Sequence, residues 1–157
     1  MHPNAATIER FYEAFARRDA NTMAACYHAD IIFSDPVFHE LRGARVGAMW
    51  RLLAGRSQDL AVAWHDVSAT DTAGSALWDA RYTFTQTGHK VLNKVHASFG
   101  FQDGLIIRHD DSFDLWRWAS QALGPRGLLL GWTPFVQSAI HRQAIKGLYA
   151  YLAAHPA

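Results

Sequence analysis

Apolar residues in the first sixty positions recur at helical spacing, and one short strand interrupts them. The first helix is expected to start at Asn4 as its N-cap, and its inward-facing residues are Ile8, Phe11, Tyr12 and Phe15. A second, short helix follows Asp19, with Met23, Ala24 and Tyr27 facing inward, and a third lies between Gly43 and Gly55. Between the second and third helices, the stretch IIFSDP (31–36) is predicted as a short strand, which its final proline ends because proline has no N–H group for the ladder.

From residue 60 the period of the pattern changes to two. This alternation predicts strands over 60–69, 75–87, 89–101 and 105–116, joined by short turns that contain glycine. The chain closes with an amphipathic helix over 134–153. Helices followed by a run of strands are typical of an α+β fold, so we predict a strongly curved antiparallel sheet wrapped around the N-terminal helices, with an extra C-terminal helix.

Length, charge and cysteine content narrow the class of protein. The 157 residues predict one domain over 1–157, in which 125–157 is a C-terminal extension. The formal charge is +1, and acidic and basic residues are interspersed, so the sequence has no basic run that would bind the phosphates of a nucleic acid. No apolar run approaches the length of a membrane span, no secretion signal is visible, and Cys26 is alone. We therefore predict a soluble cytoplasmic protein, with neither nucleic acid nor membrane as a partner.

Alternation along the strands indicates which face of the sheet is covered. A shift by one residue in 77–85 would bury the charges of Asp79 and Arg81, so the opposite parity is assigned to the interior. The same argument applies to 91–101. The predicted inward residues of these two strands are Trp78, Ala80, Tyr82, Phe84, Val91, Asn93, Val95, Ala97, Phe99 and Phe101.

The last strand contains an anomaly, the stretch IIRHDDSFDLW (106–116). Arg108, Asp110 and Asp114 share one parity and must face outward, which leaves His109 and Asp111 side by side on the concave face. Their Cβ atoms would lie about 7 Å apart, close enough to share a ligand or a water molecule. Burying a carboxylate and an imidazole costs free energy unless they pair or neutralise, so this pair is a candidate functional site.

Several stretches in a fixed order resemble a known superfamily. Three of them, IERFYEAFARRD, FSDPVFHELRG and TGHKVLNKVHASFGF, lie between Ile8 and about Trp116. The fourth, SFDLWRWASQALG, continues past Trp116. The chain resembles the NTF2-like superfamily of cone-shaped α+β domains, which includes SnoaL-type polyketide cyclases, ketosteroid isomerase and limonene epoxide hydrolase. The resemblance implies a cavity inside the cone and a homodimer formed through the sheet.

The resemblance places Asp35 at the position of the general base of ketosteroid isomerase. The two hydrogen-bond donors that hold the oxyanion in that enzyme fall on Phe11 and Ala97 here, so isomerisation of a ketosteroid is not expected. The Asp–Arg–Asp arrangement of limonene epoxide hydrolase is also not matched, because Asp79 and Arg81 are predicted to face outward. The inward pair of His109 and Asp111 is similar in location to the late aspartate of SnoaL-type cyclases.

We predict an enzyme that uses acid–base chemistry without a cofactor on a small, largely apolar organic molecule. Asp35 or Asp111 would remove a proton or activate water, His109 would orient the carboxylate or return the proton, and Tyr82 would stabilise charge on oxygen. The reaction class stays open among isomerase, cyclase and epoxide hydrolase. The predicted walls of the cavity are Trp50, Trp78, Asn93, Phe99 and Phe113.

Each candidate residue also has a purely structural interpretation. Asp35 could cap backbone N–H groups in a turn, and His109 with Asp111 could be a mutually satisfied buried pair. None of the nine histidines has the spacing of a zinc site, and no phosphate-binding loop is present, so neither a metal nor a cofactor is predicted. The alternative function is a non-catalytic ligand-binding or protein-interaction module. A cone whose interior is filled by side chains would favour this alternative, and a cavity beside Asp35 would favour the enzyme.

Overall fold

The computed structural model describes residues 1–156, and residue 157 of the predicted domain lies outside the described residues. In this part of the chain, helices and strands follow the predicted order, with three additions: a two-residue strand at Leu41–Arg42, and two helices between the last long strand and the closing helix. The elements are α1 (Pro3–Ala16), α2 (Ala20–Ala25), β1 (Tyr27–Ser34), β2 (Leu41–Arg42), α3 (Ala44–Arg56), β3 (Ala61–Ala69), β4 (Ala73–Phe84), β5 (His89–Gln102), β6 (Leu105–Ser112), α4 (Leu115–Ala122), α5 (Pro125–Leu130) and α6 (Pro134–Ala154).

Local hydrogen bonds explain where the helices begin. Asp19 caps α2 by accepting from the Thr22 N–H, and Thr133 caps α6 by accepting from the Val136 N–H. The prediction for α1 was wrong by two residues. His2 is its N-cap, and the amide of Asn4 instead donates to the backbone of the β3–β4 turn.

The six strands form one curled sheet that does not close into a barrel, in the order β2-β1-β6-β5-β4-β3. The α+β class and the curved sheet are confirmed, and β3 to β6 are antiparallel neighbours as predicted. One pair differs from the expectation of an antiparallel run, because β1 lies parallel to β6. Side-chain alternation predicts the face of a strand but carries no information about the direction of its partner, which is why this pair was not foreseen.

The last strand is shorter than predicted. β6 ends at Ser112 rather than at 116, and the carboxylate of Asp114 accepts from the Arg117 N–H to cap α4. The residues that α4 buries are Leu115, Ala119 and Ala122, and their spacing of four and three is helical. Asp114 therefore serves as a helix cap, whereas the sequence had placed it on the outer face of a strand.

The first helix packs against one part of the concave side of the sheet. Its apolar face is almost completely buried, as predicted, and includes Ile8, Phe11, Tyr12 and Phe15. Burying a side chain of this size stabilises the fold by about 1.5–3 kcal/mol. Because α1 occupies one part of the curled sheet, the remaining concave surface is left for the site described next. Among residues 1–156, no helix is both long and apolar enough to cross a membrane.

Candidate active site

A cavity of about 500 Å³ lies between the concave face of the sheet and the helices α3 and α6. Most of its wall is apolar and includes Trp50, Trp78, Phe113 and Ile140. Three groups that can exchange protons also line it, namely the carboxyl groups of Asp35 and Asp111 and the phenol of Tyr82. An apolar cavity with a few convergent polar groups is typical of a small-molecule site.

Most residues that the sequence analysis assigned to a site line this one cavity. They are Asp35, Trp50, Trp78, Tyr82, Asn93, Asp111 and Phe113. Two predicted members do not line it. His109 is fully buried behind Asp111, and Phe99 packs against the His109 ring with the two ring centroids 4.5 Å apart. Phe99 is therefore a support for His109 rather than a wall of the cavity.

Asp111 reaches the cavity from β6 and is held by two side-chain donors. Its Oδ1 lies 2.9 Å from His109 Nε2 and accepts a longer hydrogen bond, of 3.4 Å, from Trp78 Nε1. The burial of both His109 and Asp111 agrees with the parity read from the sequence. Since both donors converge on Oδ1, the carboxylate is fixed by one oxygen.

The other side of His109 is occupied by Tyr27, whose hydroxyl lies 2.8 Å from His109 Nδ1. The Trp50 indole N–H donates to the same hydroxyl, also at 2.8 Å. An indole N–H only donates, so the Tyr27 oxygen accepts from Trp50 and its single proton is free for His109 Nδ1. When that proton is donated to Nδ1, the ring proton of His109 lies on Nε2 and is donated to Asp111 Oδ1.

Tyr27 was missed as a functional residue. The sequence analysis placed it on the inner face of a helix, but it is the first residue of β1, where it pairs with Ile106 of the parallel strand β6. A fully buried histidine needs a partner on each ring nitrogen, and that requirement was the available signal. Choosing Tyr27 as this partner required the β1–β6 pairing, which side-chain alternation does not encode.

Asp35 follows β1 and is held by the backbone. Its Oδ1 accepts from the N–H groups of Val37 and Phe38, at 2.7 Å and 2.6 Å. This is the turn-forming role considered from the sequence, and it leaves the second carboxyl oxygen without a protein hydrogen bond among the described residues. Burial is the largest influence on this group and raises the pKa of Asp35 from 3.8 to about 7, against the lowering effect of the two N–H groups.

Tyr82, on β4, is held by a side chain of α4 that also lines the cavity. The Trp118 indole N–H of α4 donates to its hydroxyl oxygen at 2.7 Å. Burial raises the pKa of Tyr82 above its ordinary value of 10.0, and the charge of Asp35 contributes in the same direction. Tyr82 therefore keeps its proton at neutral pH, and that proton is available to an acceptor in the cavity. Trp118 was not foreseen as a partner because the sequence analysis did not predict α4.

In the described residues, no group of three histidine, cysteine, aspartate or glutamate side chains is placed to hold a metal ion. The carboxyl groups of Asp35 and Asp111 instead accept hydrogen bonds from N–H donors. Asp79 and Arg81 do not line the cavity, so a water molecule inside it has no Asp–Arg–Asp arrangement from these residues. Among the side chains that line the cavity, the two carboxyl groups and the Tyr82 phenol are the ones suited to acid–base chemistry.

Comparison with known proteins gives one family and many similar folds. The family model of the SnoaL-like domain matches residues 8–109. Similar solved structures include an LEH-like epoxide hydrolase from M. tuberculosis, 24% identical, with a TM-score of 0.64 over 84% of this chain and 96% of that chain. A protein with a ketosteroid isomerase-like fold from Catenulispora acidiphila, in complex with trimethylamine, is 12% identical, with a TM-score of 0.68 over 82% and 97%.

A third similar structure is an NTF2-like protein of unknown function from Burkholderia pseudomallei. It is 20% identical, with a TM-score of 0.62 over 73% of this chain and 92% of that chain. Identities below 25% establish the shared fold alone. No curated protein matches the chain in sequence.

Proposed function

Because the chain belongs to the SnoaL-like domain family, we propose that its cavity performs acid–base chemistry on a small, largely apolar organic molecule without a cofactor. The observation that carries this proposal is that two carboxyl groups and one phenol line the same apolar cavity of about 500 Å³. The two carboxyl groups are held by different donors, so they are suited to different steps of a proton transfer.

Asp111 is the proposed general base. The donors on its Oδ1 fix its orientation, and its second oxygen has no protein hydrogen bond among the described residues. His109 does not reach the cavity, so we assign it the positioning role and not the return of the proton to the substrate. His109 orients Asp111, and Tyr27 in turn orients His109. Other catalytic bases are held in the same way by a second and a third group.

Asp35 is the proposed partner that exchanges the proton with the other end of the substrate. A group with a pKa of about 7 is present in both protonation states at neutral pH, which is the range in which acid–base catalysis is most effective. Its backbone N–H donors bind Oδ1 in either state, so the turn does not have to rearrange when the proton moves.

Tyr82 is the proposed donor to a developing negative charge on a substrate oxygen. Its hydroxyl accepts from Trp118, and that bond directs the remaining proton away from α4. Phe11 and Ala97, at the positions of the isomerase donors, are fully buried and carry no polar side-chain atom. The stabilising donor is thus on β4 in this chain, which argues for a reaction other than ketosteroid isomerisation.

The proposal is tested with two neutral probes of different chemistry. Exchange of the α protons of 1-indanone is followed by NMR in D₂O, and hydrolysis of styrene oxide is followed in parallel. The wild-type protein is expected to accelerate at least one of the two reactions. The double variant with Asp35→Asn and Asp111→Asn should lose this acceleration, whereas Asp110→Asn should keep it, because Asp110 faces outward and pairs with Arg108.

Two results would contradict the proposal. The first is equal activity of the double variant and the wild-type protein. The second is tight binding of 1-indanone by the wild-type protein with acceleration of neither reaction, which would support the ligand-binding module instead.

A further inference from the structure

Exposed large apolar side chains are concentrated in one segment of the chain. Of the eight exposed side chains of this kind among the described residues, seven lie between 115 and 156. Six of them lie close together in sequence and are called here the apolar face, namely Trp116, Leu128, Leu129, Leu130, Trp132 and Phe135. Trp116 Nε1 donates to the Leu128 carbonyl oxygen at 3.0 Å, which joins α4 to α5 within this face. Exposed apolar patches of this kind mark docking surfaces.

The packing of α5 shows that its leucines do not serve the core. The helix contacts α4 through glycine, because a Cβ atom at Gly127 would collide with the Ala119 carbonyl oxygen. A Cβ atom at Gly131 would lie only 2.8 Å from the Ala119 Cβ. Gly127 is buried, whereas Leu129 is 69% exposed, so α5 reverses the usual arrangement of an amphipathic helix. Its large apolar side chains are therefore available for contact with a partner outside the domain.

The charge of the same segment indicates what that partner is. Residues 115–157 contain no aspartate or glutamate, and their basic residues are Arg117, Arg126, Arg142 and Lys146. Arg142 follows Phe135 by seven residues, so both lie on the same side of α6, and both are exposed. Arg45 adds a further cation, 5.4 Å above the ring of Tyr149.

This combination favours an anionic lipid surface over a second copy of the chain. Pairing this segment with the same segment of a second copy would bring arginines together and supply no acid to neutralise them. Exposed leucine, tryptophan and phenylalanine beside basic residues are typical of proteins that lie at the interface of an anionic bilayer. The outer face of the sheet carries charges of both signs, such as Asp79, Arg81 and Lys94, and it lacks comparable apolar groups.

The position of the apolar face relative to the cavity gives it a use. A different side of α6 lines the cavity with Val136, Ile140 and Ala144. Docking through Phe135 and α5 would therefore place a wall of the cavity next to the bilayer, from which an apolar molecule can enter without crossing bulk water. The sequence analysis excluded a membrane partner because no segment can span a bilayer, and docking needs no such segment.

We propose that the apolar face docks the protein on an anionic lipid bilayer. The proposal does not depend on the chemistry proposed for the cavity. It is tested by sedimentation of the full chain with vesicles of phosphatidylcholine alone and of phosphatidylcholine with 30% phosphatidylglycerol. Binding is expected only with the anionic vesicles, and it should weaken several-fold between 50 mM and 300 mM salt, because basic residues near a surface are screened by ions.

Two variants locate the surface. Leu129→Ser combined with Phe135→Ser removes apolar contacts at exposed positions, and the apparent affinity for anionic vesicles should fall by more than about tenfold. Arg142→Glu should reduce it by about fivefold or more. The matched control is Lys94→Glu, which makes the same charge change on the outer face of the sheet and should leave vesicle binding unchanged.

Three results would overturn the proposal. Absence of binding to anionic vesicles is one, and an equal effect of Lys94→Glu and Arg142→Glu is another. The third is self-association of the wild-type protein, measured by analytical ultracentrifugation, that the Leu129→Ser and Phe135→Ser variant abolishes while no vesicle binding is seen. That result would assign the apolar face to a second copy of the chain.

Discussion

The two carboxyl groups of the cavity, those of Asp35 and Asp111, are held in opposite ways. Asp111 belongs to a strand and accepts hydrogen bonds from side chains, His109 and Trp78. Asp35 belongs to a connection between strands and accepts only from backbone N–H groups. Side-chain donors can be removed by substitution, whereas backbone donors cannot, so the two sites should respond differently to mutation.

The comparison indicates a division of labour. The orientation of Asp111 depends on a chain of buried groups that reaches back through His109 and Tyr27 to Trp50. Asp35 has no such chain, and its distinguishing property is a pKa of about 7. One carboxyl group is therefore specialised by geometry and the other by its environment, which is how a single fold can supply both an acid and a base.

The largest effect is expected from Asp111→Asn. Because an amide cannot accept a proton as a general base, turnover of whichever probe the wild-type protein converts should fall by about a thousandfold. The same change at Asp110, one residue earlier and facing outward, should leave turnover within about twofold. The rates are measured over the pH range 5 to 9, after thermal unfolding has confirmed that both variants are folded. A loss of less than about tenfold in Asp111→Asn would transfer the role of base to Asp35.

The chain of buried groups is tested through two buried tyrosines. Tyr27→Phe leaves the Trp50 N–H and His109 Nδ1 without a partner, and the free energy of unfolding should fall by about 1–3 kcal/mol. Tyr12 is the matched control, because its buried hydroxyl has no hydrogen-bond partner in the described residues. Removing that hydroxyl in Tyr12→Phe should leave stability unchanged or raise it. Urea unfolding measures both variants, and equal costs would show that the Tyr27 hydroxyl contributes nothing beyond packing.

The environment of Asp35 predicts a pH-dependent difference in stability. Burial raises its pKa from 3.8 to about 7, so between these values the native state holds a proton that the unfolded chain has released. This contribution to stability is complete below about pH 4 and is lost as the pH rises through 7. The amide introduced by Asp35→Asn cannot titrate, and its oxygen can still accept from the N–H groups of Val37 and Phe38.

Compared with the wild-type protein, Asp35→Asn should therefore be equally stable at pH 4 and more stable at pH 8. The gain should be about 1–2 kcal/mol, a value reduced from the full pKa shift because water in the cavity screens the carboxylate. Denaturant unfolding at the two pH values measures it, with Asp110→Asn as the variant that should show no such gain. A variant that loses stability at pH 8 would show that the carboxylate charge supports the turn.

The sequence predicted the parity of the site but not its connections. Alternation placed His109 and Asp111 inside because any other register would have buried Arg108 and Asp110, and the structure agrees. The network around them joins residues 82 and 23 positions apart in sequence, namely Tyr27 with His109 and Trp50 with Tyr27. Period and composition describe one strand at a time, so they could not identify a partner on a parallel neighbour.

The end of the sheet shows the same limit. Asp114 has the parity of Arg108 and Asp110, and the sequence analysis extended the strand through it to residue 116. In the structure its carboxylate accepts from the Arg117 N–H, and α4 begins directly after it. An aspartate before an apolar pattern of helical spacing is also a helix-start signal, so two local interpretations competed over the same residues. The error mattered for the site, since α4 carries Trp118.

The smallest effect is expected at Tyr82 and its support. Tyr82→Phe removes the donor to the developing oxygen charge and should lower turnover by about tenfold, with little change in the concentration of substrate at half-maximal rate. Trp118→Phe keeps an aromatic ring at the cavity wall and removes the bond that directs the Tyr82 hydroxyl, so its loss should be smaller, about twofold to fivefold. Combining the two changes should cost no more than Tyr82→Phe alone, because Trp118 acts through a hydroxyl that is then absent. Additive losses in the double variant would show that Trp118 affects the cavity independently of Tyr82.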